Sequence, residues 1–381
     1  MRIVVLVESL TFGGAERQAC VLAGEFKRRG HDVCVATYHQ DDFYLPLLER
    51  ENVEHRFLGG CGKFSWALNV RRFLRTHGQD VVLAFLPGPS AYAELAGLPR
   101  RSWGLVVSER LANPRSRLDP KLWLHGLADY VVANSHANRL IIEERCAWLK
   151  PRLVTVYNAL HIEDYHVIEG ESERHEGIRL VVAARYAKQK NLPGLIRALA
   201  DLKRSNAVDS VTVDWYGPQN GEAGVLEQAR KESERHGLDD VLRLRGPTHE
   251  IHEAMSAADA VLLPSFFEGL PNAVCEGMAL GKPILMSDVC DARNLVRHGL
   301  NGFLFDPHSP ASIATAIAEF SGLSLEERNH MGRASRIRAV ELFDADTVVN
   351  RYLRILWAAA ARQSLKIEHW PEVVPDCSDV G

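Results

Sequence analysis

Twice along the chain, short β-branched runs alternate with stretches of helical periodicity, which restricts the fold to repeated βαβ units around parallel sheets. The first series places strands at 3–7, 31–37, 81–85, 104–108, 130–133 and 153–156. The second places them at 178–184, 211–216, 241–244, 260–263 and 283–286, with helices at 193–204, 223–237, 250–257 and 271–280 between them. From 161 to 177 the chain is polar and charged without an apolar period, as an interdomain linker is. The expected organisation is an α/β chain with a Rossmann-like domain over 1–165, a linker over 166–177 and a second Rossmann-like domain over 178–345. A terminal helix over 346–362 and a loose tail over 363–381 complete it.

Charge and cysteine usage exclude several classes. With 45 Lys and Arg against 49 Asp and Glu, the chain lacks the basic balance of a dedicated nucleic-acid binder. Its seven cysteines form no C-x-x-C pair, so they read as buried thiols of a reducing, cytoplasmic environment. The apolar run after Met1 is too short for a signal segment, and no stretch of about 18 apolar residues is present to span a membrane. The 16 histidines make no spaced ligand set, and Asp344-Ala345-Asp346 reads as a helix cap rather than a cation site, so no metal is expected.

Three segments carry chemistry. Gly13-Gly14-Ala15-Glu16 lies between the first strand and first helix, where bare backbone and free helix N–H groups suit a phosphate or sugar oxygen; a tight turn alone would also use two glycines. The dinucleotide fingerprint G-x-G-x-x-G is absent. Arg185 and Lys190 follow the first strand of the second series, just before a helix, and can neutralise a diphosphate; a solvated surface pair is the alternative. The richest segment runs from Pro264 to Gly277, with Glu268 in a loop, Pro271 suited to the first helical turn and Glu276 one turn further. Two such carboxylates can accept hydrogen bonds from a hexose and from a ribose diol. Dipole compensation explains Glu268 but not Glu276, and a glycosidase pair has no other support in the chain.

Taken together these segments resemble the retaining GT-B glycosyltransferases of family 4: a GGAE loop at Gly13 to Glu16, R-x4-K at Arg185 and Lys190, and E-x7-E at Glu268 and Glu276. The resemblance spans both halves and implies two Rossmann-like domains facing across a cleft, the C-terminal helix returning to the N-terminal domain. It implies that Glu268 lies by the donor sugar, Glu276 holds the nucleotide ribose, and Arg185 and Lys190 contact the diphosphate, with Arg185, Lys190 and Glu268 as the catalytic set. Gly269, Leu270 and Asn272 complete that donor segment. Gly13 and Gly14 then lie near the transferred sugar, Tyr216 and Gly217 beside the nucleotide, and the backbone from Gly246 beside the base. The implied donor is a nucleotide diphosphate sugar, UDP favoured over GDP, with no cofactor and no metal.

The acceptor side departs from the pattern. Where many relatives carry a histidine, this strand ends Ser108-Glu109-Arg110. Glu109 can hold an acceptor hydroxyl, or Glu109 and Arg110 can form a buried ion pair; Glu16 and Arg110 complete the acceptor-side candidates. Residues 51–150 hold 14 basic against 9 acidic residues, with Lys63, Phe64, Trp66, Leu68, Arg71, Arg72, Phe73 and Arg75 in one stretch and Trp103, Arg115, Arg117, Lys121 and Trp123 beyond it. Such a face suits the surface of an anionic membrane and a polyprenyl-linked glycan, or an ordinary helix packed by its apolar side. A nucleotide-dependent oxidoreductase and a noncatalytic sugar-nucleotide-binding protein are the alternative functions.

Overall fold

The computed structural model describes residues 1–110, 120–167, 177–205, 211–218 and 222–365. Most of the linker reading, nearly all of the tail, and Arg115 and Arg117 fall outside them, as does the side chain of Lys121. Two compact units emerge, the first built from Met1–Ala159 with residues 345–365, the second from Leu160–Asp344.

The first unit holds seven parallel strands: β1 (Arg2–Leu6), β2 (Asp32–Thr37), β3 (Glu54–Phe57), β4 (Val81–Phe85), β5 (Gly104–Glu109), β6 (Tyr130–Ala133) and β7 (Leu153–Thr155). Their order is β3-β2-β1-β4-β5-β6-β7. Helices α1 (Gly14–Arg28), α2 (Leu45–Arg50), α3 (Lys63–Thr76), α4 (Pro87–Ala96), α5 (Pro120–Leu124) and α6 (His136–Arg145) make the connections. Central strands β4 and β5 are buried along their whole length, the signature of a sheet covered on both faces. Seven strands replace the six expected. The additional one, β3, is an edge strand of sequence EHRF, almost wholly exposed, so it carries no apolar pattern to read.

In the second unit six parallel strands, β8 (Ile178–Ala183), β9 (Val211–Tyr216), β10 (Leu242–Arg245), β11 (Ala260–Leu263), β12 (Ile284–Ser287) and β13 (Gly302–Phe305), run in the order β10-β9-β8-β11-β12-β13. The edge strand β13 is the one not anticipated. Its helices are α7 (Leu192–Ser205), α8 (Val225–Arg235), α9 (Ile251–Ser256), α10 (Asn272–Ala279), α11 (Ala292–Leu295), α12 (Pro310–Ser321) and α13 (Leu325–Phe343). Hydroxyl caps set two helix starts: Ser309 accepts from Ser312 N at 3.2 Å, and Ser324 forms a reciprocal capping box with Glu327. Pro271 is the residue before α10 rather than part of its first turn, with φ −77° and ψ 104°.

The last helix, α14 (Ala345–Ala361), belongs to the first unit and packs across β4 and β5 and against α1. It lies so close that a Cβ on Gly104 would stand 2.4 Å from the Ala359 carbonyl carbon, so only glycine fits. Asp346 pairs with Arg29, the residue that follows α1. Beyond it, Tyr130 Oη donates to the Gln363 carbonyl at 2.7 Å and accepts from Leu365 N at 2.7 Å, so the start of the expected loose tail is tethered.

Helix α3 divides the aromatic and basic stretch between two environments. Val70 and Leu74 are buried, and Trp66 and Phe73 pack against the core, while Phe64 is 85% and Leu68 55% exposed. Arg71 and Arg75 cap the end of α4, donating to the Leu98 carbonyl at 2.9 and 2.6 Å. Trp103 is buried in the core and Trp123 is exposed. Cys61 and Cys290 are exposed, contrary to the reading of every cysteine as buried.

Candidate functional site

In each sheet one pair of neighbouring strands has its connections leaving in opposite directions, and ligands of open α/β sheets bind beyond the carboxyl ends of such pairs. In the second unit the pair is β8 and β11. The loop after β8 carries Arg185 and Lys190, and the loop after β11 leads through Glu268 into α10. Topology therefore assembles residues nearly 80 positions apart, and Lys190 Nζ meets Glu268 Oε1 at 2.5 Å with both side chains largely buried.

Gln189, which the sequence did not single out, joins the two loops. Its Nε2 donates to the Phe267 carbonyl at 2.6 Å, its carbonyl accepts from Phe266 N at 2.9 Å, and its Oε1 receives Arg185 Nη2 at 3.3 Å. Behind them Asn191 sits in the left-handed region at φ 55°, its Nδ2 donating to the Pro307 carbonyl at 2.7 Å. Glu268 N–H in turn reaches Cys290 Sγ at 3.2 Å. Lys190 and Glu268 are thus held by backbone from three loops.

One turn into α10, the buried Glu276 meets His252 Nε2 of α9 at 3.1 Å, and Tyr165 lies against the same imidazole with ring centroids 5.0 Å apart. Gly269 and Leu270 are buried between the two carboxylates and Asn272 opens α10. His252 has no local sequence signal, being 24 residues from its partner. At the end of β9, Tyr216 lies under the Arg245 guanidinium at 5.6 Å, and Gly246 follows β10 directly. A Cβ on Gly217 would stand 2.1 Å from the Ala184 carbonyl oxygen, so the chain there must be bare. A cavity of about 260 Å³ opens on the far flank of the Lys188–Asn191 turn, lined by Pro193, Arg197, Gln228 and His308, and it is not lined by Arg185, Lys190, Glu268 or Glu276.

In the first unit, Gly13 precedes α1 and Gly14 opens it. The Glu16 carboxylate folds back over Gly13, where a Cβ would come within 2.1 Å of Oε2, and burial, reinforced by Glu8, pushes its pKa up. Successive strand residues face opposite sides. Glu109 accordingly turns towards His125, whose Nε2 is 3.3 Å from Glu109 Oε1, while His125 Nδ1 is 2.7 Å from Glu94 Oε1. The Glu109 contact is off line for a hydrogen bond and is electrostatic. Arg110 turns the other way, donating to Ser108 Oγ at 3.1 Å, to Asn158 Oδ1 and to Tyr352 Oη of α14, over the Phe85 ring. Of the two readings open for Glu109, the ion pair with Arg110 therefore does not form. Among the described residues no cluster of His, Cys, Asp and Glu could hold a metal ion.

Two families match this chain in tandem. Residues 12–164 match Glycosyltransferase Family 4 and residues 167–338 match the glycosyl transferases group 1. The chain belongs to glycosyltransferase family 4. This family 4 chain is 26% identical over 307 residues to an exopolysaccharide phosphotransferase of Streptomyces coelicolor, covering 78% of this chain and 30% of that protein. It is 26% identical over 274 residues to the D-inositol 3-phosphate glycosyltransferase of Streptomyces avermitilis, covering 67% of this chain and 58% of that one. The matches thus span less than two thirds of either relative. Among solved structures, Anabaena HepE in complex with UDP-glucose superposes with a TM-score of 0.81 at 22% identity, over 94% of this chain and all of that one. That likeness establishes the fold as GT-B.

Proposed function

We infer that this family 4 chain transfers a sugar from a nucleotide diphosphate donor, UDP favoured over GDP, to a hydroxyl of a lipid-linked glycan. A place in polysaccharide or glycolipid synthesis follows from that activity. The observation that carries this reading is the Lys190–Glu268 contact, with Arg185 on the same turn and Glu276 one helical turn beyond. The cations suit the diphosphate, and a buried carboxylate on a short rigid helix suits the ribose diol.

The chemistry proposed is retention without a covalent enzyme intermediate. The bond from the anomeric carbon to the diphosphate oxygen breaks, the acceptor oxygen bonds to that carbon on the same face, and the acceptor proton passes to the departing oxygen. Arg185 and Lys190 stabilise the charge that develops on the diphosphate, while Glu268 orients both Lys190 and the sugar. No metal is assigned a part.

Calorimetric titration with UDP, GDP and NADH in EDTA tests the donor site. UDP is expected to bind, and Glu276→Ala to weaken it by about 10- to 100-fold, since a buried carboxylate loses its charge-assisted hydrogen bonds. Undiminished UDP affinity in the variant would remove Glu276 from the site, and binding of NADH alone would favour an oxidoreductase.

We further infer that the exposed face of α3 rests on anionic lipid. Phe64 and Leu68 on α3 stand out of the unit with Leu95 and Leu98, and Lys63, Arg72 and Arg100 lie in the same segments. Among the described residues no helix is long and apolar enough to cross a membrane. Sedimentation with anionic vesicles is expected to carry the protein down at low salt, less so at high salt, and less for Phe64→Ser with Leu68→Ser. Equal sedimentation of wild type and double variant would refute this face as the contact.

A further inference from the structure

In the first sheet the neighbouring strands whose connections diverge are β1 and β4, and the side chains beyond their ends take no part in the donor chemistry above. Glu8 follows β1 there, and its carbonyl accepts both Tyr38 N at 3.2 Å and His39 N at 2.9 Å, fastening the end of β2 beside it. Beyond β4, Leu86 is held at φ 73° and ψ 158°, a conformation rare for a residue with a side chain, and it leads through Pro87 to Gly88. Strain of this kind collects where a surface must be held in a fixed shape for a ligand.

The side chains that converge here are of one chemical kind. Tyr38 Oη stands 3.0 Å from the place of a Cβ on Gly88, and Glu8 Oε2 3.9 Å from it, so hydroxyl and carboxylate both border the bare backbone there. The Tyr38 ring contacts Trp66 and Tyr92 with centroids 5.5 and 5.3 Å apart. Trp66 is oriented by its own Nε1–H, which donates to the Gly60 carbonyl at 3.0 Å. Tyr38 is buried, Trp66 and Tyr92 are half-buried, and the Glu8 side chain is 47% exposed with, among the described residues, only His39, 3.9 Å away, as an ion partner.

Aromatic rings beside a carboxylate and a hydroxyl fit a pyranose. The C–H face of the sugar meets the negative face of a ring, and its neighbouring hydroxyls donate to a carboxylate. The half-exposed Glu8 carboxylate selects further by its own charge. A phosphorylated acceptor would meet like charge here.

We propose that Glu8, Tyr38, Trp66 and Tyr92 form a subsite for an uncharged saccharide, the ring of the acceptor sugar that receives the transferred residue. This rests on the transferase reading above and narrows its acceptor. Saturation-transfer NMR on the full chain tests it, with methyl glucopyranoside, methyl galactopyranoside and methyl N-acetylglucosaminide as probes, glucose 6-phosphate as the charged comparison, and UDP titrated in parallel. At least one glycoside is expected to receive saturation through its ring C–H protons and to bind about 10-fold or more weakly to Trp66→Ala and to Glu8→Gln, with UDP affinity unchanged. Glucose 6-phosphate is expected to bind more weakly than the matching glycoside. Trp66→Phe should restore contact, and Glu8→Gln, at a half-exposed position, reports even if Trp66→Ala does not fold. Unchanged glycoside binding in folded Glu8→Gln and Trp66→Phe/Tyr92→Ala variants overturns the subsite, as does UDP binding without contact from any glycoside. Failure of wild type to bind UDP overturns the transferase reading itself.

Discussion

Lys190→Ala is expected to lower turnover by about 10²-fold or more while leaving nucleotide affinity within a few-fold of wild type. The difference between the two effects follows from where the charge is needed. In the ground state of the proposed donor complex the diphosphate would already be screened by solvent and by Arg185, whereas the bond to the anomeric carbon would break only if the departing oxygen could take up negative charge beside a fixed cation. Lys190 is fixed, because Glu268 holds its ammonium at 2.5 Å and Gln189 ties its turn to the neighbouring loop. Lys190→Arg should recover part of the rate, since the charge returns on a longer and planar group. Donor hydrolysis in the absence of acceptor measures this step without knowledge of the acceptor. A Lys190→Ala protein that turns over at the wild-type rate would show that the leaving group is stabilised elsewhere.

The second large effect concerns stability. His125 is buried between Glu94 and Glu109, and although burial alone would lower its pKa, the two carboxylates push it up to about 9. A histidine whose folded pKa lies above its unfolded value of 6.5 stabilises fully below that value, and the stabilisation is lost as pH rises through about 9. A rise of that size corresponds to on the order of 3 kcal/mol. Burial also raises the Glu94 pKa, and that group likewise favours the folded state less as pH rises. The first unit is therefore expected to lose stability between pH 6.5 and 9. His125→Ala leaves two buried carboxylates without their cation, which costs about 3–5 kcal/mol and lowers the melting temperature of that unit by roughly 10 °C. Denaturant titrations across this window check both statements, and an identical pH slope in wild type and variant would assign the slope to other groups.

The parts of this molecule that could be read from residues alone are those whose cause is local. The strands at 81–85 and 104–108 announce themselves because a strand covered on both faces must be apolar throughout. Edge strands have no such need, and EHRF at 54–57 carries no apolar run for that reason, whereas GFLF after Asn301 is mostly buried but only four residues long, too short for its period to stand out. In the donor region, the carboxylates and cations stand out by type and spacing. The residues that hold them do not, because Gln189, His252 and Cys290 become relevant only when loops from separate strands meet. On the acceptor side, the ion-pair alternative for Glu109 and Arg110 fails on direction: the two are adjacent in sequence, so the strand sends them to opposite faces, and the partner of Glu109 lies 16 residues on at His125.

Helix α14 has one more consequence, for the order in which the polypeptide matures. Leu160 N donates to the Phe343 carbonyl at 2.8 Å, and Leu160 also bridges Asp344, so the second unit begins and ends at adjacent points, as an inserted cassette does. The first unit is interrupted by that cassette, and Val348, Tyr352, Ile355 and Leu356, all buried in the finished molecule, are among the last of its residues to be made. A nascent chain can complete the inserted half while its N-terminal sheet still lacks its final cover. The N-terminal half, translated first, thus receives its final cover only after the inserted half has been made.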